Sequence, residues 1–188
     1  MSIADYLAME NQSDEKHEYH AGEIFGMSGG TLNHSLISMN LGAEARRHVA
    51  EKDCRVFDSN LRVWIEAARS FVYPDAMVIC GTPNFYQDQQ HVITNPKTVF
   101  EVLSDSTSAF DRGGKFKKYQ TLASLEEYVI VEQTEAAVDV LRRGKQGLWE
   151  YESYLGLEAQ VQLKSLGISL PMSGIYHKVE FPDPEKSA

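Results

Sequence analysis

Two carboxylates and one lysine stand out, because each lies in or beside an apolar stretch where charge is unusual. Asp75 opens the apolar run 76–80, Glu101 interrupts the run 98–104, and Lys115 follows in a basic segment. Charged side chains are seldom buried unless they are paired or bind a metal ion. Two acids on strands, with a lysine beyond them, can hold a divalent cation and hydrolyse a phosphate ester.

Asp75 follows Pro74 in the sequence. Proline has no N–H for a strand ladder, so this position suits the start or the edge of a strand. An aspartate at the end of a strand can face a cleft. The ordinary alternative is a turn aspartate, and the position alone leaves both interpretations open.

Glu101 carries a stronger signal, because its neighbours on both sides are apolar. A carboxylate buried there needs a cation, a hydrogen-bond donor or a raised pKa. The alternative is a structural salt bridge to an arginine such as Arg62. We favour a metal ligand.

Lys115 lies in a predicted helix over residues 111–123. At about 100° per residue, Lys115, Tyr119 and Leu122 share the apolar face, and Lys117 lies on the opposite face. Lys115 is therefore expected to point toward the sheet, whereas Lys117 is expected to be an ordinary surface lysine of the helix. His34 could also reach a site, although the residues alone favour an ordinary polar helix position.

The elements that must position these residues follow from apolar periodicity and turn signals. The pattern predicts an α/β (α+β) fold, with one mixed central sheet flanked by helices and extra β-hairpins. We expect a single domain over 1–188. The predicted parts are an N-terminal helix and hairpin (1–30), a catalytic core (31–133) and C-terminal strands (134–188). The predicted elements are helices 2–9 and 31–51, a hairpin of 17–20 with 23–27, strands 55–57, 62–65, 72–80, 99–103 and 128–132, a loop over 81–95, a hairpin of 138–142 with 148–151, and an apolar tail over 161–171.

The long helix over 31–51 has Thr31 as its predicted cap. The helical spacing is followed by Leu32, Leu36, Met39, Ala43 and Arg46.

Composition narrows the class of protein. The chain has 188 residues, 43% of them hydrophobic and 24% charged, which is typical of a globular protein. No stretch has the apolar length of a membrane span, so no membrane partner is expected. The start of the chain lacks the pattern of a signal peptide, and we expect a cytoplasmic protein. Cys54 and Cys80 are then expected as small buried hydrophobes rather than as a disulfide.

The formal net charge of −9 counts against a large nucleic-acid surface. It suits a site that gathers metal cations. The densest basic patch comprises Arg112, Lys115, Lys117 and Lys118.

Several motifs along the chain, taken together, are similar to those of one known family. The chain resembles the Uma-two family of restriction-endonuclease-like proteins, a branch of the PD-(D/E)xK nuclease superfamily. The resemblance covers most of the chain and depends on several motifs taken together. They are Gly22-Glu23-Ile24 with Gly29, Gly30 and His34; Tyr73-Pro74-Asp75; Phe100-Glu101-Val102-Leu103-Ser104 with Ser106-Thr107; Asp111, Lys115 and Tyr119; and Glu127-Tyr128-Val129-Ile130-Val131.

The resemblance implies a metal-dependent endonuclease. Asp75 and Glu101 would bind Mg²⁺ or Mn²⁺, with the Val102 carbonyl as a further ligand. The superfamily pattern places a lysine where Leu103 stands here, and Lys115 matches a lysine that has migrated to the following helix. The remaining predicted site residues are Glu18 and His34, which would complete the catalytic site, and Arg112, Lys118 and Tyr119, which would contact the substrate.

The expected partner is nucleic acid, above all DNA, and a homodimer would suit the cutting of both strands. The second hypothesis is a nuclease fold with weak or absent catalysis that serves as a DNA-binding or protein-binding module. The net charge and the displaced lysine favour that alternative slightly.

Overall fold

A computed structural model describes residues 1–27, 29–104 and 108–182. The Ser106-Thr107 part of the motif pattern lies outside the described residues. The helices are α1 (Ile3–Glu10), α2 (Leu32–His48), α3 (Phe116–Tyr119) and α4 (Met172–Ile175), with a π-helical turn at Phe110–Lys115 and 3₁₀ turns at Glu66–Ala68 and Lys145–Gly147. The strands are β1 (His17–His20), β2 (Glu23–Gly26), β3 (Cys54–Asp58), β4 (Arg62–Ile65), β5 (Ser70–Val72), β6 (Ala76–Cys80), β7 (Phe85–Tyr86), β8 (Gln89–Ile93), β9 (Thr98–Val102), β10 (Glu127–Val131), β11 (Ala137–Arg143), β12 (Trp149–Leu155), β13 (Gln160–Leu163) and β14 (Ile168–Pro171).

The strands form two six-stranded sheets and a separate hairpin. The first sheet has the order β2-β1-β5-β4-β8-β7 and the second the order β12-β11-β10-β9-β6-β3, while β13 pairs with β14. Both sheets are mixed, because β4–β8 and β9–β10 are parallel pairs and the other pairs are antiparallel. The mixed α/β class is confirmed, but two sheets replace the single central sheet that the sequence suggested.

The division into two sheets occurs at the segment that contains Asp75. The strand expected over 72–80 is in fact β5 and β6, which belong to different sheets. Pro74 has no N–H to continue a ladder, so the chain leaves the first sheet there and enters the second. Asp75 therefore lies between the two sheets, immediately before β6.

The connection between the parallel strands β9 and β10 includes the π-helical turn and α3. Parallel neighbours require such a crossover. The helix expected over 111–123 ends at Tyr119 and begins as a π-helical turn. Its orientation is as predicted, because Lys115 and Tyr119 are buried and Lys117 is exposed.

Strand β9 lies between two hydrophobic cores, and its alternating side chains enter one or the other. Phe100 and Val102 pack in the core that includes Ile37 of α2. Val99 packs on the opposite side, together with Tyr119. Glu101 lies on that second face, because side chains alternate along a strand.

Helix α2 begins as predicted, with the Thr31 hydroxyl accepting a hydrogen bond from the His34 N–H. Its buried face is formed by residues other than those that follow the predicted spacing. Ile37, Leu41 and Ala45 are buried, whereas Leu32 and Met39 are largely exposed. Apolar residues lie on both sides of this helix, and packing against the sheet selects the narrower i, i+4 stripe.

Two further expectations were wrong. Residues 81–95 are not a loop throughout, since β7 and β8 form a hairpin there. Its turn has a positive φ at Gln87 without a glycine, so the usual turn signal is missing. Cys54 and Cys80 form a disulfide, because they are paired directly across β3 and β6 with a Cα–Cα distance of 3.9 Å.

Within residues 1–27, 29–104 and 108–182, no helix is both long and apolar enough to cross a lipid bilayer.

Candidate active site

Asp75 and Glu101 are brought together by the antiparallel pairing of β6 with β9. The register pairs Ala76 with Phe100 and Met77 with Val99. Extending it by one pair sets Asp75 opposite Glu101, and directly opposed side chains lie on the same face of a sheet. The Val102 N–H donates to Asp75 Oδ2 at 2.7 Å, which fixes the aspartate against β9.

Lys115 reaches the same place from the crossover. Its ammonium donates to Glu101 Oε2 at 2.9 Å and to the Tyr73 carbonyl at 3.1 Å, and lies 3.3 Å from Glu18 Oε1. Asp111 Oδ1, one turn earlier, is 3.8 Å away. Burial disfavours the charged ammonium, but the surrounding carboxylates outweigh it and raise the pKa of Lys115.

Glu18 joins the site from β1 of the other sheet. Its Oε1 accepts a hydrogen bond from the Tyr73 N–H at 3.0 Å, and its Oε2 accepts one from His20 Nε2 at 3.1 Å. Burial opposes ionisation of Glu18, but Lys115, His20 and the Tyr73 N–H together lower its pKa to about 2. Glu18 is therefore a fixed anion at neutral pH that holds Lys115 in place.

His34 lies at the first turn of α2, with Nε2 3.4 Å from Asp75 Oδ1. The interaction with Asp75 raises the pKa of His34, and a hydrogen bond to the Val102 backbone adds to the effect against burial. Gly30 makes room for this ring, because a Cβ at Gly30 would lie 2.7 Å from His34 Nδ1. The ring thus contacts both Asp75 and Val102, two of the three predicted metal-binding positions.

Negative charge is crowded in this site. The carboxyl groups of Glu18, Glu101 and Asp111 lie within 4 Å of the Lys115 ammonium. Asp75 adds a fourth carboxyl group beside Glu101 on the paired strand segment. Burial raises the pKa of Glu101 well above its usual range, and Lys115 offsets only part of that effect. Glu101 Oε1 is buried and, among the described residues, has no hydrogen-bond partner. An added cation would satisfy that oxygen and favour the ionised carboxylate.

The donor set fits a hard divalent cation. Asp75 and Glu101 offer carboxylate oxygens, the ligands that Mg²⁺ prefers, and Mg²⁺ keeps several waters, so two carboxylates suffice. In the part of the chain that the structure describes, no three His, Cys, Asp or Glu side chains are grouped as a ready-made metal site.

The three predicted substrate contacts occupy different surroundings. Arg112 Nη1 donates to Asp139 Oδ2 at 2.7 Å, and its other terminal nitrogen pairs with Glu132. Lys118 is half-buried and donates to His20 Nδ1 at 2.7 Å. Tyr119 is 0% exposed and packs against the Tyr128 ring, so it presents no surface to a substrate in this conformation.

Sequence reasoning did not select three residues that shape the site: His20, Asp111 and Tyr73. Tyr73 contributes both of its backbone polar groups, one to Glu18 and one to Lys115. Strand alternation could have suggested His20, two residues after Glu18 on the same face. Helical spacing could have suggested Asp111, four residues before Lys115.

Comparison with known proteins identifies a family and two relatives. A family model named Uma2 and described as "Putative restriction endonuclease" matches residues 3–173. Two uncharacterized proteins of Synechocystis sp., slr1290 and sll1609, are similar along nearly their whole length. The first is 36% identical over 181 residues, covering 96% of this chain and 94% of the relative. The second is 32% identical over 168 residues, covering 89% and 95%.

A solved structure shares the fold. The crystal structure titled as a putative nuclease belonging to DUF820, from Anabaena variabilis, superposes with a TM-score of 0.74. It is 18% identical in sequence, and the match covers 94% of this chain and 97% of that one. Because the family model matches residues 3–173, which is most of the chain, this protein belongs to the Uma2 family.

Proposed function

We propose that this protein is a metal-dependent endonuclease that hydrolyses phosphodiester bonds of DNA. The observation that carries the proposal concerns the two oxygens of Glu101, next to Asp75. Oε2 accepts from Lys115, whereas the buried Oε1 has no hydrogen-bond partner among the described residues. A buried carboxylate oxygen without a partner is costly, and such cost is tolerated where a ligand completes the site. The family description supports the choice of a nuclease.

Asp75 and Glu101 are the residues that would hold Mg²⁺ or Mn²⁺. When bound in such a site, the ion supplies a bound water of lowered pKa and neutralises charge on the scissile phosphate. The Val102 carbonyl is a further candidate ligand, close to which the His34 ring lies.

Lys115 supplies a positive charge from the protein, in addition to the charge of the metal ion. Its ammonium is fixed by Glu101, Glu18 and the Tyr73 carbonyl, so it needs no reorganisation when negative charge develops on the phosphate. Glu18 keeps the lysine charged and oriented. His34, beside Asp75, is placed to exchange a proton with a water near the phosphate.

The decisive experiment is cleavage of supercoiled plasmid and of single-stranded DNA with Mg²⁺ or Mn²⁺. Asp75→Asn and Glu101→Gln should each abolish cleavage while the fold, measured by circular dichroism, is kept. Glu51→Gln removes the same charge from an exposed position and should cleave like wild type. Cleavage that survives in both site variants would exclude this site.

The alternative is a binding module that uses the same fold without efficient catalysis. The net charge of −9 is the observation that favours it. Mn²⁺ titration separates the two functions. A nuclease binds Mn²⁺ through Asp75 and Glu101, so Glu101→Gln should lose that binding. If the protein cleaves no DNA and Glu101→Gln changes nothing in the Mn²⁺ titration, the binding module replaces the nuclease proposal.

A further inference from the structure

An aromatic and cationic surface lies on the outer side of Glu18, and the catalytic proposal leaves it unused. It consists of His20, Phe25, Phe110 and Lys118, which we call the ring cluster. The His20 ring centroid is 5.3 Å from that of Phe25 and 5.6 Å from that of Phe110. The Lys118 ammonium lies 5.0 Å from the centroid of the Phe110 ring.

Two members of the ring cluster are open to solvent. Phe25 on β2 is 49% exposed, and Phe110 in the π-helical turn is 37% exposed. Exposed phenylalanine rings do not gain the free energy of burial. Two of them in contact with one histidine are therefore unusual on a surface that binds no ligand.

Phe110 is also held in its position. Its ring lies against Gly114, where a Cβ would approach Phe110 Cδ2 to 2.7 Å. A glycine at 114 therefore allows the ring to lie flat on the turn that carries Lys115. The ring is placed by the same short element that places the lysine.

A continuous chain of contacts links the ring cluster to the candidate active site. Lys115 lies 3.3 Å from Glu18 Oε1, and His20 Nε2 donates to Glu18 Oε2. Because a carboxylate can only accept, Nε2 carries the proton and Nδ1 accepts from the Lys118 ammonium. Two side chains, His20 and Glu18, thus link the phenylalanine rings to the predicted catalytic lysine.

Aromatic faces beside a phosphate site suit an unpaired nucleobase. Every base has a face that stacks on aromatic side chains, and Lys118 can meet the adjoining backbone. Bases in an intact duplex are already stacked on each other and leave no free face. A duplex is held instead by many Lys and Arg contacts, while here the net charge is −9 and Arg112 is bound by Asp139 and Glu132.

We infer that the ring cluster stacks an unpaired base next to the scissile phosphate, so that the substrate is a DNA strand with unpaired nucleotides rather than intact duplex. The inference rests on the proposed function in one respect, that the phosphate is held at Lys115. The stacking itself is independent of cleavage.

Binding measured by fluorescence anisotropy in EDTA tests this inference without interference from hydrolysis. The probes are a labelled oligodeoxythymidine, a sugar–phosphate strand of the same length without bases, and a blunt duplex. Wild type should bind the oligodeoxythymidine more tightly than either of the others. Phe25→Leu and Phe110→Leu should each raise its Kd about 5- to 150-fold, because one stacked base contributes about 1–3 kcal/mol.

Phe85→Leu is the matched control, since Phe85 is 44% exposed on β7, at the opposite edge of the first sheet from β2. It should bind all three probes like wild type. Equal losses on duplex and single strand, no loss in either ring variant, or no binding of oligodeoxythymidine by wild type would overturn the inference.

The nuclease proposal and the stacking proposal can each be refuted without refuting the other. Ring-dependent binding of single strands in a protein that cleaves nothing would support the stacking and refute the nuclease. Metal-dependent cleavage in a protein whose single-strand binding ignores both rings would support the nuclease and overturn the stacking.

Discussion

The Lys115 ammonium lies 2.9 Å from Glu101 Oε2, although the lysine belongs to a π-helical turn and the glutamate to a central strand. Both side chains are almost fully buried, with 5% and 2% of their surface exposed. The contact therefore fixes the crossover on the sheet and also brings a permanent positive charge to the predicted metal ligands.

Replacing the lysine tests its proposed role. Lys115→Met keeps the aliphatic length and removes the charge, so we expect the cleavage rate to fall by about 100-fold or more. Mn²⁺ binding, measured by calorimetry, should persist because Asp75 and Glu101 are intact. Lys117→Met is the control, since Lys117 is exposed on the same helical segment. Wild-type cleavage by Lys115→Met would rule out the assignment.

Local periodicity was sufficient to predict that Glu101 is buried in a central strand and that Lys115 faces the sheet. Apolar residues on both sides of Glu101 required a buried central strand, and β9 is buried along its length. Helical spacing required Lys115 to face the sheet, and it does. Both features depend on residues a few positions apart, which is the range over which sequence patterns are informative.

Longer-range pairing could not be predicted in the same way. The separation of β5 from β6 into two sheets depends on which strands they meet, and those partners are distant in sequence. The disulfide depends on the register that pairs Cys54 with Cys80. The contact of His20 with Lys118 joins residues ninety-eight positions apart in the sequence. Such contacts follow from the completed fold and leave no local pattern.

Stability at acid pH should report on Glu18. Its pKa is about 2 in the folded protein against about 4.5 for an ordinary glutamate, so its contribution is complete above pH 4.5 and is lost as pH falls toward 2. We expect the stability advantage of wild type over Glu18→Gln to shrink by about 2 kcal/mol between pH 6 and pH 3.

Urea unfolding at the two pH values measures that change. Glu23→Gln is the control, because Glu23 is exposed on the neighbouring strand. A difference between wild type and Glu18→Gln that stays constant with pH would contradict the strong coupling of Glu18 to Lys115.

The Cys54–Cys80 disulfide should stabilise the fold without affecting cleavage. It closes a segment with a sequence separation of 26, for which restriction of the unfolded chain predicts about 3 kcal/mol. Cys80 lies at the end of β6 opposite to Asp75. Reduction with dithiothreitol should therefore lower the free energy of unfolding by about that amount. A Cys54→Ala/Cys80→Ala variant should show no response to dithiothreitol. Loss of DNA cleavage on reduction would contradict the expectation that the disulfide, at the far end of β6 from Asp75, does not affect the site.

The close approach of Gly30 to His34 gives the sharpest test of the histidine. A methyl group at position 30 would lie 2.7 Å from Nδ1 and 3.0 Å from Cγ, so Gly30→Ala must move the ring away from Asp75. Displacement of a catalytic group by about 1 Å can lower a rate about 100-fold, and we expect a loss of 10- to 100-fold, similar to that of His34→Ala. Gly29→Ala is the matched control, because a Cβ there would meet no atom of the described residues within 4 Å. Circular dichroism should show that both glycine variants keep the fold. If Gly30→Ala cleaves DNA like wild type while His34→Ala does not, the ring acts without its contact to Asp75, and the geometry proposed for the histidine is wrong.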